Sequence, residues 1–361
     1  MTNRLSAIQS AMTANGLDAI LVTPGPNLRY LTGYGAMPFE RITCLIVRDS
    51  GDPVLVVPGL EEPAARASGV DVEIVTWGET DDSIGLVTSF LKQDSAQIGL
   101  DDQMWASRVL EFQNRLPKTK FVAAGPTISQ LRMRKSPEEL AALREAGQFI
   151  DSVHAIVPGF LAAGRTEAEV GADIAQAIVA AGHAHADFVI VGSGPNSASP
   201  HHEVSDRVIQ VGEPIVVDIG GPTPKGYFSD STRTYHIGQP TDEVLKTYEH
   251  LKIAQQMQLD HIRPGVTAES IDAVGRNYFA EHNLAQFFIH RTGHGIGQEV
   301  HEEPYIVAGN KLELEPGMAF SVEPGLYFEG KWGARIEDIV AVTADGVETF
   351  NNRPRELTIV D

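Results

Sequence analysis

The chain has 361 residues and a formal net charge of −20, because 28 lysines and arginines face 48 aspartates and glutamates. This length predicts two domains, and a composition of 42% hydrophobic and 21% charged residues is typical of a globular protein. So acidic a chain disfavours nucleic acids and anionic membrane surfaces as partners.

Cysteine content and apolar patterning indicate the compartment. The single cysteine, Cys44, excludes an intrachain disulfide framework and a cysteine zinc cluster, and it is predicted to lie in a strand core. The first residues lack an apolar stretch followed by a cleavage site, and no apolar run approaches the ~18 residues of a membrane span. We therefore expect a cytoplasmic protein.

Residues 1–130 are predicted to form a small α/β domain, because short β-rich runs alternate there with helical patterns. The β-rich runs are Ala19 to Val22, Ile42 to Val47, Pro53 to Val57 and Val72 to Val75.

A long helix is predicted to begin at Ser136. Ser136 provides an N-cap, Pro137 suits the first turn and Glu139 completes a capping box. We place the domain boundary before this helix, so that the second domain covers residues 131–361.

The second domain shows an internal duplication. After Pro158-Gly159, Thr166 and Glu169 form a capping box over a helical apolar pattern, and the segment after Pro264-Gly265 repeats the device. Each helix is followed by a pair of strand-like runs, with one carboxylate expected on each strand. The repeat is half the domain long, which argues against a solenoid.

Four acidic residues occupy equivalent positions in these strand pairs: Asp218, Asp230, Glu323 and Glu337. An ionised carboxylate in an apolar strand is costly unless it is paired or binds a cation. Taken singly, each acid is more often a strand-end or turn residue in contact with solvent. If the two strand pairs face each other, the carboxylates converge, and two divalent ions would balance their charge.

Histidines supply candidate nitrogen ligands. His294 lies within Gly293–Gly297, whose glycines leave the backbone room beside a compact site. The segment is also GxGxG-like, but it does not follow a strand and open a helix, so it is a weak dinucleotide signature. An isolated histidine is usually structural, whereas His201, His290 and His301 accompany His294, which indicates at least one functional imidazole.

Carboxylates with an imidazole form a hard, oxygen-rich donor set, which favours manganese, cobalt, iron or magnesium over thiolate-bound zinc. Two such ions lower the pKa of a shared water toward ~7 and stabilise the oxygens of a hydrolytic transition state. The sequence has no G-x-S-x-G elbow, H-E-x-x-H helix or Walker loop. These features predict a hydrolase.

Together these residues resemble the pita-bread metallopeptidases, the family of prolidase (Xaa-Pro dipeptidase), aminopeptidase P and methionine aminopeptidase, with creatinase as a metal-free relative. The tract from Asn27 to Gly33, within an N-terminal α/β domain, is similar to the proline-specific branch. The resemblance covers essentially the whole chain. It implies an α/β N-terminal domain followed by an α+β pita-bread catalytic domain with internal duplication.

The resemblance implies two divalent metal ions per chain, with manganese expected first and cobalt, iron or zinc as alternatives. The implied ligands are Asp218 to one metal, Glu323 to the other, Asp230 and Glu337 as bridges, and His294 through its imidazole. Glu323 is also the implied general base. His201 is similar to a histidine near the scissile amide, and His301 to one that stabilises the oxyanion.

The resemblance also suggests substrate contacts, for which we single out His290, Tyr305 and Arg335. For His290 a structural role is equally open. Thr232 and Arg335 alternate onto the strand faces of Asp230 and Glu337, so each is expected to orient a carboxylate. A surface ion pair is the alternative for Arg335.

Two positions depart from the family pattern. The interval from Asp218 to Asp230 is one residue longer than usual, and the Gly220–Pro224 turn can absorb the extra residue. Many prolidases have an arginine after the His-x-x-Pro proline that pairs with the carboxylate of a dipeptide, and Tyr305 stands there instead. A tyrosine cannot form that bidentate contact.

We therefore expect a proline-specific metallopeptidase that cleaves after an N-terminal residue, of the Xaa-Pro aminopeptidase type. A Xaa-Pro dipeptidase that recognises the carboxylate through another basic residue is the main alternative. A non-enzymatic pita-bread binding protein or a metal-free creatinase-like enzyme is disfavoured, because all five candidate ligands are present. Proline-containing peptides are the expected partners, and the resemblance implies a homodimer.

Overall fold

The structure is a computed structural model that describes residues 3–92 and 96–361. The chain divides into two compact units, Met1–Arg132 and Met133–Asp361, whereas the sequence-based boundary was placed between residues 130 and 131. Within the described residues, no helix is both long and apolar enough to cross a bilayer.

The first unit alternates helices and strands along the chain. Its helices are α1 (Asn3–Ala14), α2 (Pro26–Thr32), α3 (Glu62–Ala67), α4 (Ser83–Ser89), α5 (Ala106–Arg115) and α6 (Gly125–Arg132). Its strands are β1 (Ala19–Val22), β2 (Cys44–Arg48), β3 (Val54–Pro58), β4 (Glu73–Trp77), β5 (Gln97–Leu100) and β6 (Lys120–Ala123). The four predicted β-rich runs correspond to β1 to β4.

The strands of the first unit form one mixed sheet in the order β4-β3-β2-β1-β5-β6. Side chains alternate between two cores: Ile20 and Leu45 pack on one face, and Leu21 and Cys44 on the other. Because helices cover both faces, the central strands are apolar throughout. Cys44 is fully buried in β2, as predicted.

The second unit contains two helix pairs, each followed by strands. Its helices are α7 (Pro137–Ile156), α8 (Glu167–Ala180), α9 (Asp242–His261) and α10 (Ala268–Glu281). The strands before α9 are β7 (Phe188–Ser193), β8 (Pro214–Pro222) and β9 (Phe228–Ile237). The strands after α10 are β10 (Gly293–Gly295), β11 (Glu302–Ile306), β12 (Ala319–Val322), β13 (Gly325–Phe328), β14 (Trp332–Arg335), β15 (Asp338–Val342), β16 (Val347–Thr349) and β17 (Thr358–Val360).

The described strands of this unit form sheets ordered β17-β9-β8-β7 and β11-β10-β12-β15-β16, with β13 and β14 as a separate hairpin. Helices α7 and α8 pack on the first sheet through residues such as Ile150 and Ile174. Helices α9 and α10 pack on the second through Leu259 and Ile271. This repeated helix pair and sheet is the internal duplication expected from the sequence.

The predicted caps form at two of three helix starts. Ser136 and Thr166 each accept a hydrogen bond from the backbone amide three residues on, and the glutamate there bonds back. Thr267, before α10, makes no side-chain cap. The residue three positions after Thr267 is Ser270 instead of a glutamate, and its hydroxyl donates to the Thr267 carbonyl. The capping box is therefore incomplete at this helix.

The acidic residues of the two halves are placed differently with respect to their strands. Asp218 and Asp230 lie within β8 and β9, as expected. Glu323 follows the end of β12, and Glu337 lies in the break between β14 and β15, so the expectation of a strand position is wrong for these two. Pro324 has no N–H for a continuous ladder, which explains the break after Glu323.

Candidate active site

A cavity of about 1000 Å³ lies in the second unit, between the strands of the two halves. The cavity wall includes nine of the ten residues singled out from the sequence: His201, Asp218, Asp230, His290, His294, His301, Glu323, Arg335 and Glu337. Tyr305 is not part of the wall. The expected convergence of the duplicated strand pairs therefore exists as a single cluster.

Backbone pairing brings the four acids together. Asp218 lies opposite Thr232 in the β8–β9 ladder, and the Glu337 amide donates to the Thr232 carbonyl at 3.1 Å. The Glu323 amide donates to the carbonyl of Thr292 at 2.8 Å. The hydrogen bond between Glu337 and Thr232 thus joins the two halves of the duplication at one of the acids.

His294 is held with one ring nitrogen directed into the cluster. Its Nδ1 lies 3.1 Å from the Gly295 carbonyl, and this contact orients the ring so that Nε2 points into the cluster. Nε2 is 3.1 Å from Glu323 Oε1 and 3.6 Å from Asp230 Oδ2. A Cβ at position 293 would collide with the Ser321 carbonyl, so glycine is required beside His294.

The acids of the cluster differ in pKa. Burial raises the pKa of Asp230 and Glu337 well above the ordinary carboxyl range, and the neighbouring carboxylates raise both further. Burial also raises the pKa of Asp218, against the opposing charge of Arg335. For Glu323, burial is outweighed by the hydrogen bond and charge of His294, which lower the pKa to about 2.

The residues present fit divalent cations. Ligand atoms of Asp230, His294 and Glu337 all lie within 4.8 Å of one another. Asp218 Oδ1 and Glu337 Oε1 are buried, and each has no hydrogen-bond partner among the described residues. A buried carboxylate oxygen without a partner is costly, and cations would remove that cost while compensating the clustered negative charge.

A hydrogen-bond network supports the acids from behind. Arg335 is 2% exposed, so the alternative of a surface ion pair is wrong. Its Nη2 donates to Asp218 Oδ2 at 2.6 Å and its Nε to Thr232 Oγ1 at 3.0 Å. Thr232 Oγ1 donates in turn to Glu337 Oε2 at 2.7 Å. Thr232 and Arg335 therefore each orient a carboxylate, although Thr232 contacts Glu337 rather than Asp230, and Arg335 contacts Asp218 rather than Glu337.

Three further histidines line the cavity around the cluster: His201, His290 and His301. His290 Nε2 lies 2.9 Å from the Tyr327 hydroxyl, and that hydroxyl accepts a hydrogen bond from Arg335 at 2.7 Å. The His301 ring centroid is 3.9 Å from that of His294. Burial and the nearby charges of His294 and Arg291 lower the pKa of His301 to about 4, which keeps its imidazole neutral near pH 7.

Tyr305 lies behind the cavity wall. It pairs with His294 across the β10–β11 ladder. The guanidinium carbon of Arg291 lies 4.4 Å from the centre of its ring, and Arg291 does belong to the cavity wall. Tyr305 therefore supports a basic residue at the cavity.

Sequence reasoning missed three residues of this region: Tyr327, Asp272 and Arg291. Tyr327 joins His290 to Arg335. Asp272 is fully buried in α10 and accepts hydrogen bonds from the Thr292 amide and hydroxyl. The available signal was an acid within the apolar pattern of α10, which predicts a buried partner.

Two family models match the chain. The model of the creatinase/prolidase N-terminal domain matches residues 4–134. The model of metallopeptidase family M24 matches residues 141–344. The second match contains all five candidate metal ligands.

Proteins with a similar sequence or structure carry peptidase names. The crystal structure of dipeptidase PepE from Mycobacterium ulcerans superposes with a TM-score of 0.94 at 51% identity, covering 99% of this chain and 97% of that one. The prolidase structure from Thermococcus sibiricus gives 0.93 at 35% identity, covering 99% and 98%. A protein of Lactobacillus delbrueckii subsp. lactis named Xaa-Pro dipeptidase is 35% identical over 367 residues, covering 99% and 98%.

Proposed function

The chain belongs to metallopeptidase family M24 and is a metal-dependent peptidase, and from this we propose that it hydrolyses Xaa-Pro dipeptides. The observation that carries the proposal is the convergence of Asp218, Asp230, His294, Glu323 and Glu337 on one cavity. This proposal reverses the order of the two interpretations drawn from the sequence. The similarity to proteins named dipeptidase and prolidase favours the dipeptidase over the aminopeptidase type.

We propose that the five residues hold two divalent ions. Bound there, the ions would supply a water of lowered pKa and stabilise negative charge on oxygen. The donor set suits manganese, cobalt or iron, with zinc as a further candidate. Asp230 and Glu337 are proposed as the ligands that the two ions would share, as the family resemblance implies, and their ligand atoms lie within 4.8 Å of one another and of a His294 nitrogen.

The chain's own groups then have separate tasks. Glu323 is the proposed general base, because the family resemblance implies that role and its Oε1 lies beside the cluster, 3.1 Å from His294 Nε2. Neutral His301 is proposed to donate a hydrogen bond to the developing oxyanion. We propose that His201, which also lines the cavity, contacts the scissile amide.

The test is hydrolysis of Ala-Pro, Ala-Pro-Ala and Ala-Ala by metal-stripped protein before and after manganese or cobalt is added. We expect metal-dependent release of proline from Ala-Pro and much slower cleavage of Ala-Ala. The matched control is Asp230→Asn, which removes one ligand charge with little change in shape. Failure of the metal-loaded protein to cleave Ala-Pro would overturn the proposal, and faster cleavage of Ala-Pro-Ala would restore the aminopeptidase interpretation.

A further inference from the structure

Arg291 is a cation at the cavity wall that stacks on an aromatic ring. In the part of the chain that the structure describes, its guanidinium forms no ion pair. It lies instead over the Tyr305 ring, 4.4 Å from the ring centre. Stacking on an aromatic face holds an arginine in place while its N–H groups stay available for a ligand.

The other arginine of the cavity, Arg335, already uses its nitrogens in hydrogen bonds within the protein. Its nitrogens donate to Asp218, Thr232, Tyr327 and the Pro200 carbonyl, and its side chain is only 3% exposed. A substrate carboxylate would have to displace these bonds to reach it. Arg291 is therefore the arginine of this cavity that can bind an anion at no such cost.

The backbone around Arg291 is fixed on both sides. The Thr292 amide donates to Asp272 at 3.0 Å, and Arg276 donates to the His290 carbonyl. Tyr305, on whose ring Arg291 stacks, is fixed as well, because Asn310 donates to the Tyr305 carbonyl at 2.6 Å. A binding group held in advance loses little conformational freedom when the ligand arrives.

We propose that Arg291, supported by Tyr305, binds the C-terminal carboxylate of a dipeptide and so makes the enzyme select substrate length. The inference rests on the proposed function. A dipeptide carries its carboxylate one residue from the scissile bond, so this charged group enters the cavity and loses part of its hydration. The planar guanidinium compensates that charge and forms paired hydrogen bonds with a carboxylate.

The experiment compares Ala-Pro with its C-terminal amide, which differs only in the charged group, in the manganese-loaded enzyme. We expect Ala-Pro to have the higher kcat/KM. Arg291→Gln should lower kcat/KM for Ala-Pro by roughly 10-fold to 150-fold, the loss expected for a charge-assisted hydrogen bond. The loss should fall mainly on KM, because the carboxylate is bound in the ground state too. Turnover of the amide should stay within about three-fold of the parent.

The matched control is Arg263→Gln, which removes the same charge from an exposed position of the same unit outside the cavity wall. Its preference for the acid should equal that of the parent. An unchanged preference in Arg291→Gln, or equal rates on the acid and the amide in the parent, would overturn the role of Arg291 while leaving a dipeptidase. No cleavage of Ala-Pro by the parent would instead show that the proposed function itself is wrong.

Discussion

Glu323 differs from the other acids of the cluster in its contacts. Its Oε1 accepts a hydrogen bond from Ser321 at 3.0 Å and lies 3.1 Å from His294 Nε2. Asp230 and Glu337 have mainly other carboxylates as charged neighbours, so burial and repulsion raise their pKa values. Glu323 is thus the acid of the cluster that stays ionised to the lowest pH.

Replacement of Glu323 by glutamine keeps the shape but removes the proposed base. We expect Glu323→Gln to lower kcat by at least ~100-fold, within the range typical of general base catalysis. The assay is Ala-Pro hydrolysis, with the metal content of each sample measured. Glu329→Gln, in the exposed turn after β13, is the matched control and should behave like the parent. Near-normal turnover of Glu323→Gln at full metal content would show that Glu323 is not the general base.

At the residue scale, site residues that are recognisable by their residue type could be predicted from the sequence. Site residues whose contacts depend on strand register became visible only in the structure. The acids and His294 were identifiable because charged groups in apolar strands require compensation. Tyr327 could not be assigned, because its contact with Arg335 depends on how β13 pairs with β14. Arg291 was missed for the same reason: its support by Tyr305 depends on the irregular β10–β11 pairing.

At the scale of elements, one buried acid organises the loop that carries His201. Glu167, the first residue of α8, is fully buried. Its carboxylate accepts hydrogen bonds from the Ser193 amide at 2.8 Å, His202 at 2.7 Å and Ser205 at 2.6 Å. The N-terminus of the helix further favours the negative charge. Helix α8 therefore anchors the segment between β7 and β8.

We expect Glu167→Gln to destabilise the fold by about 2–4 kcal/mol, because the amide nitrogen cannot accept the bonds that the carboxylate oxygen accepts. Urea unfolding measures this change, and hydrogen exchange should show faster opening of residues 194–205. Asp173→Asn, a half-exposed ion-pair residue of the same helix, should change stability by less than about 1 kcal/mol. Equal losses in the two variants would contradict the anchoring role.

The contact between α7 and β9 contains a buried histidine. His154 Nε2 lies 3.0 Å from the Ser231 carbonyl, and its Nδ1 lies 3.0 Å from the Tyr235 hydroxyl. Burial, with the charge of Arg233, lowers the pKa of His154 to about 3. The folded protein therefore keeps this imidazole neutral, whereas the unfolded chain protonates it near its ordinary pKa.

Because the folded pKa lies below the unfolded one, His154 costs no stability above about pH 6.5 and destabilises the fold progressively as the pH falls toward 3. Between about pH 7.5 and pH 5, the linked loss is about 2 kcal/mol. His154→Gln should be less stable than the parent at the higher pH and should lack this part of the acid-induced loss. Parallel stability profiles of the two proteins, measured by urea unfolding, would contradict the assignment.

At the scale of elements, caps and strand-like runs were predictable because they rest on local sequence. The capping box at Thr166 forms because Glu169 stands three residues later. The β-rich run from Ala19 to Val22 coincides with β1. The breaks that place Glu323 and Glu337 outside their strands were not predictable. They depend on how β12 and β15 continue past the β13–β14 hairpin.

At the scale of the whole molecule, the duplication concentrates negative charge in a chain that is acidic overall. The two halves each contribute two acids to the cluster in one cavity, and the formal net charge is −20. Self-repulsion opposes a compact fold, so cations that bind this cluster should stabilise the second unit as well as serve catalysis. Removing them therefore tests the architecture and the chemistry together.

The last prediction concerns the sign of a mutational effect with and without metal. Ions at about 100 times their Kd stabilise the fold by about 2.7 kcal/mol each, so chelation should lower the Tm of the parent by at least about 5 °C. Asp230→Asn should melt below the parent when metal is present, because a ligand is lost. In the metal-free state it should melt above the parent, because burial and three neighbouring carboxylates raise the pKa of Asp230 and make its charge unfavourable.

The measurement is a set of four melting curves, parent and Asp230→Asn, each with manganese and after chelation. The relief of repulsion should grow from about pH 6 to about pH 8, as more of the cluster ionises. Glu329→Asn removes an acid from the exposed turn and should show no reversal of sign. If Asp230→Asn were the less stable protein in both states, mutual repulsion would not dominate the metal-free cluster. Charge compensation by cations would then not explain why these four acids converge.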